Sequence, residues 1–265
     1  LGLSLEYSDS RILHAISGTI SATPQLERAF PELFLRDESG TLMGFDRRPV
    51  NFSRYDREQI RWGINFSRPL SPASRRNRLR QVSDTGEPVA NGDTRSKRAR
   101  RNHLQLSFYH TWHLREEVRT RPGLPVLDLL HGDAIRGRGG QPRHEWELQG
   151  GVQVNGVGVR VLGNWQSDTV VRDALPAEGG TGNALFFSRA PKVDLRLIVD
   201  LGAQPWLSSL PWLRGRLNLS VDNIFNARSR VTDANGARLA GLDRSSDDVL
   251  GRTIRLTLRK QFRSR

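Results

Sequence analysis

Apolar and polar residues alternate in eight separate stretches of this chain. In the last, Ile254, Leu256, Leu258 and Phe262 share one parity, broken only by Lys260, against Arg255, Thr257, Arg259 and Gln261. The same pattern sets Leu3, Leu5 and Tyr7 against Ser4 and Glu6, and Ile60, Trp62, Ile64 and Phe66 against Arg61, Gly63 and Asn65. It sets Leu104 to Trp112 against Gln105 to Thr111, and Trp146, Leu148, Val152 and Val154 against Glu145, Glu147, Gln149 and Gln153. Val157, Val159, Val161 and Trp165 oppose Arg160 and Asn164, while Val193 to Leu201 oppose Asp194, Arg196 and Asp200. Leu217, Leu219 and Val221 oppose Arg216, Asn218, Ser220 and Asp222. Successive side chains of a strand point to opposite faces, so each stretch has one oily and one wet side. A two-residue period repeated this often predicts an all-β, antiparallel protein.

The connections sort by length. Asn155-Gly156 joins two alternating runs and predicts a two-residue hairpin turn, because both residues tolerate positive φ. Gly202 to Arg214 is another fairly short link. The stretches 9–56, 113–143, 169–190 and 222–251 are long, polar and rich in Gly, Pro, Asp and Arg. If the strands run up and down, all four long links fall at one end, as in transmembrane barrels with long outer loops and tight periplasmic turns. Residues 67–102 break the rule as a long basic insert at the short-turn end, expected to be disordered. Within the first loop, Thr23-Pro24-Gln25-Leu26-Glu27 predicts a short helix to about Phe30, and Glu38-Ser39-Gly40-Thr41 a turn between short strands.

Composition narrows the class. No run of about 18 apolar residues exists, which excludes an ordinary transmembrane helix but not membrane strands of about 9–11 residues. The absence of cysteine removes disulfides and thiolate chemistry. Lys and Arg number 41 against 28 acids, yet much of the excess lies between Arg75 and Arg101, so the imbalance is local. A soluble sandwich would also show two-faced strands. The mid-strand charges Arg160, Asp194, Arg196, Asp200, Arg216 and Arg255 fit a wide water-filled lumen better than a small packed interior. Trp62, Trp112, Trp146 and Trp165 lie on the oily parity, where interfacial girdles require them.

The segment Asn218 to Ala227 (NLSVDNIFNA), then Val231 to Gly236, then Gly251-Arg252 opening the last strand, resembles the C-terminal end of TonB-dependent outer-membrane receptors. Phe108 to Val118 and Gly123 to Ala134 are similar to the same family, and the resemblance covers essentially all of residues 1–265. It implies an antiparallel transmembrane β-barrel of about 22 strands with an N-terminal plug. This chain would supply the C-terminal portion, about eight strands, with plug and TonB-engaging box upstream. It also implies a cell outer membrane of a Gram-negative bacterium, and uptake of a scarce nutrient such as an iron–siderophore complex. The implied partners are outer-membrane lipid, TonB through the plug, and the barrel-assembly machinery, which would read Ile254, Leu256, Leu258 and Phe262. Arg263-Ser264-Arg265 after Phe262 departs from the family pattern, in which the aromatic is usually terminal. The receptor reading involves no enzyme activity, no cofactor and no nucleic acid.

Other chemistry is thin. His110 and His113 stand three apart, so on a strand they face opposite ways and cannot share a metal without a bend. Glu145 and Glu147 share the wet face and read as a charged wall near Arg160 more than as an acid/base pair. Arg138-Gly139-Gly140 and Gly179 to Gly182 lack a phosphate-loop Lys and fit loop tips. Arg119, Arg121, Arg136 and Arg138 are the candidate contacts for an anionic substrate. Two rivals remain: a soluble β-rich protein binding nucleic acid through 75–101, and a small eight-stranded structural barrel.

Overall fold

A computed structural model describes residues 1–18, 20, 22–70, 102–135, 139–172, 184–207, 215–239 and 250–260. In chain order its strands are β1 (Gly2–Ile16), β2 (Phe34–Arg36), β3 (Leu42–Phe45), β4 (Asn51–Pro69), β5 (His103–Arg119), β6 (Val126–Asp128) and β7 (His144–Val154). There follow β8 (Val157–Gln166), β9 (Thr169–Val171), β10 (Leu185–Ser188), β11 (Lys192–Asp200), β12 (Arg216–Asp222), β13 (Arg230–Thr232) and β14 (Thr253–Arg259). The one α-helix among the described residues is α1 (Pro24–Ala29).

The protein is all-β and antiparallel. Its main sheet runs β1-β4-β5-β7-β8-β11-β12-β14, with β6 added to the end of β5. Every neighbour on that path is antiparallel and next in line along the chain, so the sheet is an up-and-down meander. Four long links (17–50, 120–143, 167–191 and 223–252) therefore leave one end, the loop end, and the two short links leave the other, the turn end, together with the long link between β4 and β5. The basic stretch 71–101 lies outside the described residues, although Leu70 and Asn102 bracket it with a backbone hydrogen bond of 2.8 Å. At the turn end Asn155 and Gly156 take φ of 49° and 83°, the positive values the β7–β8 hairpin needs.

Several strands run beyond their alternating stretches. Residues 9–16, 51–56 and 113–119 read as loop in sequence but belong to β1, β4 and β5. Here charged and apolar side chains mix on each parity (Arg11 with Leu13, Ile12 with His14, Phe52 with Arg54 and Asp56), which hides the two-residue period, and cross-strand charge pairs help stabilise the ladder. Arg11 meets Asp56 at 2.8 Å, Arg115 meets Asp9 at 3.5 Å, and Tyr7 donates to Glu58 at 2.9 Å.

The hydrophobic core does not lie on the main sheet's oily face. Ile20, Leu26, Phe30, Leu33, Phe52, Val118, Leu127 and Leu129 pack together at the loop end, and Ala134, Val171, Leu185, Phe187 and Val231 form a second cluster there. The loops carry their own structure to do this. Thr23 caps α1 from an extended conformation, accepting from the Leu26 amide at 3.2 Å, and Pro24 occupies the first turn. The β2–β3 hairpin follows, turning through Asp37 to Gly40. β9, β10 and β13 form a separate three-stranded sheet that ties the loop after β8 to the loop after β12.

Candidate functional site

Strand register turns the alternating patterns into two continuous surfaces. On the oily face Leu5, Trp62, His110, Trp146 and Trp165 stand directly opposite one another in one rung across five strands. The next rung toward the loop end is Tyr7, Ile60, Trp112 and His144. These rings touch: Trp146 and Trp165 at 4.6 Å between centroids, His110 stacked on His144 at 5.2 Å, and Trp112 stacked on His144 at 6.0 Å. Trp62 Nε1 donates to His110 Nδ1 at 2.9 Å, so His110 carries its proton on Nε2 and presents it to His144 Nδ1 at 3.1 Å. The result is a belt of amphipathic rings, each with an apolar body and a polar edge.

Below the belt the face is aliphatic down to the turn end. Phe66, Leu106, Val161, Leu195, Val221 and Ile254 lie on one rung, and Val154, Val157, Val199, Leu217 and Leu258 on the last. From Trp146 to Val154 is nine residues. At about 3.3 Å per residue and a tilt of about 40° that spans roughly 23 Å, the height of the apolar band of a membrane barrel. Nothing covers it among the described residues: Leu106, Leu148, Ile254, Leu256 and Leu258 are all exposed. Above the belt the same face becomes charged, with Asp9, Arg11, Arg54, Asp56, Glu58 and Arg115 linked by ion pairs, including Arg54 to Asp56.

The wet face is built differently along its length. Near the turn end it carries Gln105, Gln149, Gly151, Gln153, Gly158 and Arg160 around a shallow hollow. Mid-height, Tyr109 lies flat over Gly63, where an added Cβ would fall 2.3 Å from the ring, and Arg61 sits 4.8 Å above that ring. Glu145 and Glu147 do share this face, but their partners are not Arg160. Glu147 pairs with Arg61 at 2.9 Å and Glu145 accepts from His113 Nε2 at 3.2 Å. The register explains the correction, since Arg160 stands opposite Gly151, four residues from Glu147.

Toward the loop end the wet face is sealed. His113 and Glu116 are almost wholly buried, with His113 Nδ1 3.6 Å and Arg57 Nε 3.2 Å from Glu116 Oε2, and the Tyr55 hydroxyl donating to Glu116. A bulge brings the two together: β5 has one extra residue, Leu114, against Glu58 and Gln59 of β4. His110 and His113 face opposite sides, and no group of three or more metal-ligating side chains occurs among the described residues.

Two of the four candidate substrate arginines, Arg119 and Arg121, lie among the described residues. Arg119 ends β5, exposed and opposite Arg54, while Arg121 pairs with Glu32 at 2.6 Å and lies 4.6 Å over the Phe30 ring. Arg136 and Arg138 lie outside the described residues, as do Gly179 to Gly182 and Phe262. Ile254, Leu256 and Leu258 stand exposed on the oily face of β14. In the first loop, hydrogen bonds from Arg36 hold the Glu27 carboxyl below the usual carboxylate range. Hydrogen bonds from the Ser39 hydroxyl and the Thr41 amide do the same for Asp37.

The Asn223 to Asn226 motif has a clear physical role. Both asparagines adopt left-handed φ, 52° and 51°. Asn223 is buried, exchanges two hydrogen bonds with the Ala227 backbone, and donates its own amide to Asp194 at 2.8 Å. Asn226 Oδ1 accepts from the Arg252 amide at 3.2 Å. Gly251 takes φ 66°, and a Cβ there would fall 2.6 Å from Asn226 Oδ1, so a glycine must precede Arg252. The turn thereby locks the end of β12 to the start of β14.

No known protein family, curated protein or solved structure matches the chain.

Proposed function

We propose that this chain is a wall segment of a transmembrane β-barrel, the C-terminal portion of an outer-membrane receptor of the TonB-dependent type, working in ligand uptake. One observation carries the reading: the apolar face of an eight-stranded sheet is bare from the Trp belt to the turn end, while the buried hydrophobic clusters lie in the loops. A soluble sheet buries that face against a second layer. Acyl chains cover it here, with the belt at the boundary between chains and headgroups and the ion-paired extension above it in water. The Asn223–Gly251 lock supports the receptor type, because it gives a structural reason for the residues that carry the resemblance.

The folded loops then form the rim of an outer vestibule and the wet face lines the lumen. A small closed barrel of eight strands is disfavoured: β1 and β14 end the strand order and do not pair with each other. The test is expression of the chain in a Gram-negative host followed by membrane fractionation. The expected result is recovery in the outer-membrane fraction, resistant to urea and released by detergent. Recovery as a soluble monomer overturns the reading.

A further inference from the structure

His113 and Glu116 are 1% and 2% exposed, so their charges meet with little water between them. On a regular strand a histidine and a glutamate three apart would face opposite ways. The bulge at Leu114 puts both on the wet face, at the root of the link that leaves β5. Glu145 stands at the other root of that link, in the second position of β7. His113 lies between the two acids, with Nε2 3.2 Å from Glu145 Oε1 and Nδ1 3.6 Å from Glu116 Oε2. A neutral imidazole has one N–H and would turn a lone pair toward one of these carboxylates, whereas the imidazolium presents a proton to both.

The surrounding charges fit the cation. β4 contributes Arg57, whose Nε is 3.2 Å from Glu116 Oε2, and Tyr55, whose hydroxyl donates to Glu116. The basic residues that lead into β7 are engaged elsewhere, Arg143 with His131 at 2.7 Å and His144 with His110 on the oily face. The acids of the link serve its own turn: Asp133 accepts from the Asp128 amide, and Asp128 pairs with His131. With His113 protonated, two cations balance the carboxylates of Glu116 and Glu145. With it neutral, one carboxylate of the cluster loses its countercharge.

The cluster also grips the link by its backbone. The His113 amide donates to the Arg143 carbonyl at 2.9 Å, and the Leu129 amide to the Glu116 carbonyl at 2.9 Å. Tyr55 carries the connection into the apolar region, where it lines a hollow with Val118, Leu129 and Ala134 between the two hydrophobic clusters. We propose that His113 is a pH-sensitive latch on the link between β5 and β7. As the imidazolium it clamps Glu116 to Glu145 and holds residues 120–135 against the sheet; on losing its proton it releases them. The cation gains its partners on folding, so its contribution is fully present below the unfolded imidazole value of about 6.5 and is lost as pH rises through the folded one. The latch therefore opens on the alkaline side, whether lipid or another layer covers the oily face.

The test is amide exchange of the full chain in detergent micelles, with protection at each pH taken relative to the unfolded chain at that pH. Protection of residues 120–135 is expected to fall about tenfold between about pH 6 and about pH 9, the equivalent of one pKa unit of coupling, while the β7–β8 hairpin at the turn end keeps its protection. In His113→Gln the fall is expected to vanish. Glu145→Gln, at the more exposed end of the clamp, removes one carboxylate and is expected to move the midpoint to lower pH, which a purely structural role would not do. Protection that is independent of pH in the wild type overturns the proposal. So does a fall that persists in His113→Gln, or a midpoint that Glu145→Gln leaves in place. Should His113→Gln fail to fold, the wild-type profile and the Glu145→Gln midpoint still decide.

Discussion

Trp146 and Trp165 face each other across the β7–β8 hairpin with ring centroids 4.6 Å apart, and both stand in the rung that contains Trp62 and His110. Three indoles from three strands at one height form a depth marker. In bilayers whose lipids carry bromine near the headgroup, tryptophan emission is expected to be quenched more strongly than in bilayers brominated near the chain ends. Equal quenching at both depths would contradict a belt at the interface.

Depth also fixes the cost of charge on the oily face. Leu195 lies halfway between the belt and the last rung, and Leu258 lies on the last rung. Leu195→Arg is expected to destabilise the folded barrel by about 2–4 kcal/mol and Leu258→Arg by about 0–1 kcal/mol. Thr257→Arg, on the wet face, is expected to be nearly neutral. Denaturant titration in lipid vesicles checks the order, and equal costs at Leu195 and Thr257 would remove the distinction between faces.

The turn at Asn223 gives a sharper stability test. Asn223→Ala leaves two Ala227 backbone groups without their partner and puts in a left-handed conformation a residue that tolerates it less well than asparagine, for an expected loss of about 2–4 kcal/mol. Asn223→Gly keeps the conformation and loses only the hydrogen bonds, so it is expected to be the milder of the two. A Gly variant no more stable than Ala in unfolding experiments would refute the backbone argument.

Acid should loosen the first loop in a defined window. The Glu27 carboxyl is held below its ordinary pKa by Arg36, so its contribution is fully present at neutral pH, above the unfolded value. It is lost as pH falls through the lower folded value, and the change is confined below about pH 4.5. Amide exchange of the helix and of the β2–β3 hairpin, followed against pH, is expected to speed up there in the wild type. In Glu27→Gln that acid step is expected to shrink, and an unchanged step would assign it to another group.

How much of this was legible in the sequence depends on whether neighbouring residues told the two faces apart. Trp146 to Val154 announced its strand because every second side chain is apolar, and Asn155-Gly156 announced its turn through conformational tolerance. Thr23-Pro24 marked the start of α1 in the same local way. Residues 9–16 and 51–56 were hidden because charged and apolar side chains share each parity there, Arg11 with Leu13 and Asp56 with Phe52, while Arg11 and Asp56 pair across the strands. Register was hidden more deeply: the partners of Glu145 and Glu147, His113 and Arg61, come from other strands, whose vertical offset no single segment encodes. Arg119 and Arg121 are two apart in sequence, yet one ends β5 and the other reaches Glu32 in the first loop.

The bulge at Leu114 has consequences for mutational tolerance. Because faces alternate with every residue, removing that one position would turn Arg115, Glu116, Glu117 and Val118 to opposite sides. Glu116 would leave His113 and Arg57, and Val118 would be withdrawn from the cluster with Leu26 and Phe30. Leu114 can thus be exchanged for many side chains but not deleted. Insertions and deletions that the loop tips absorb freely are forbidden at this single point in the strand.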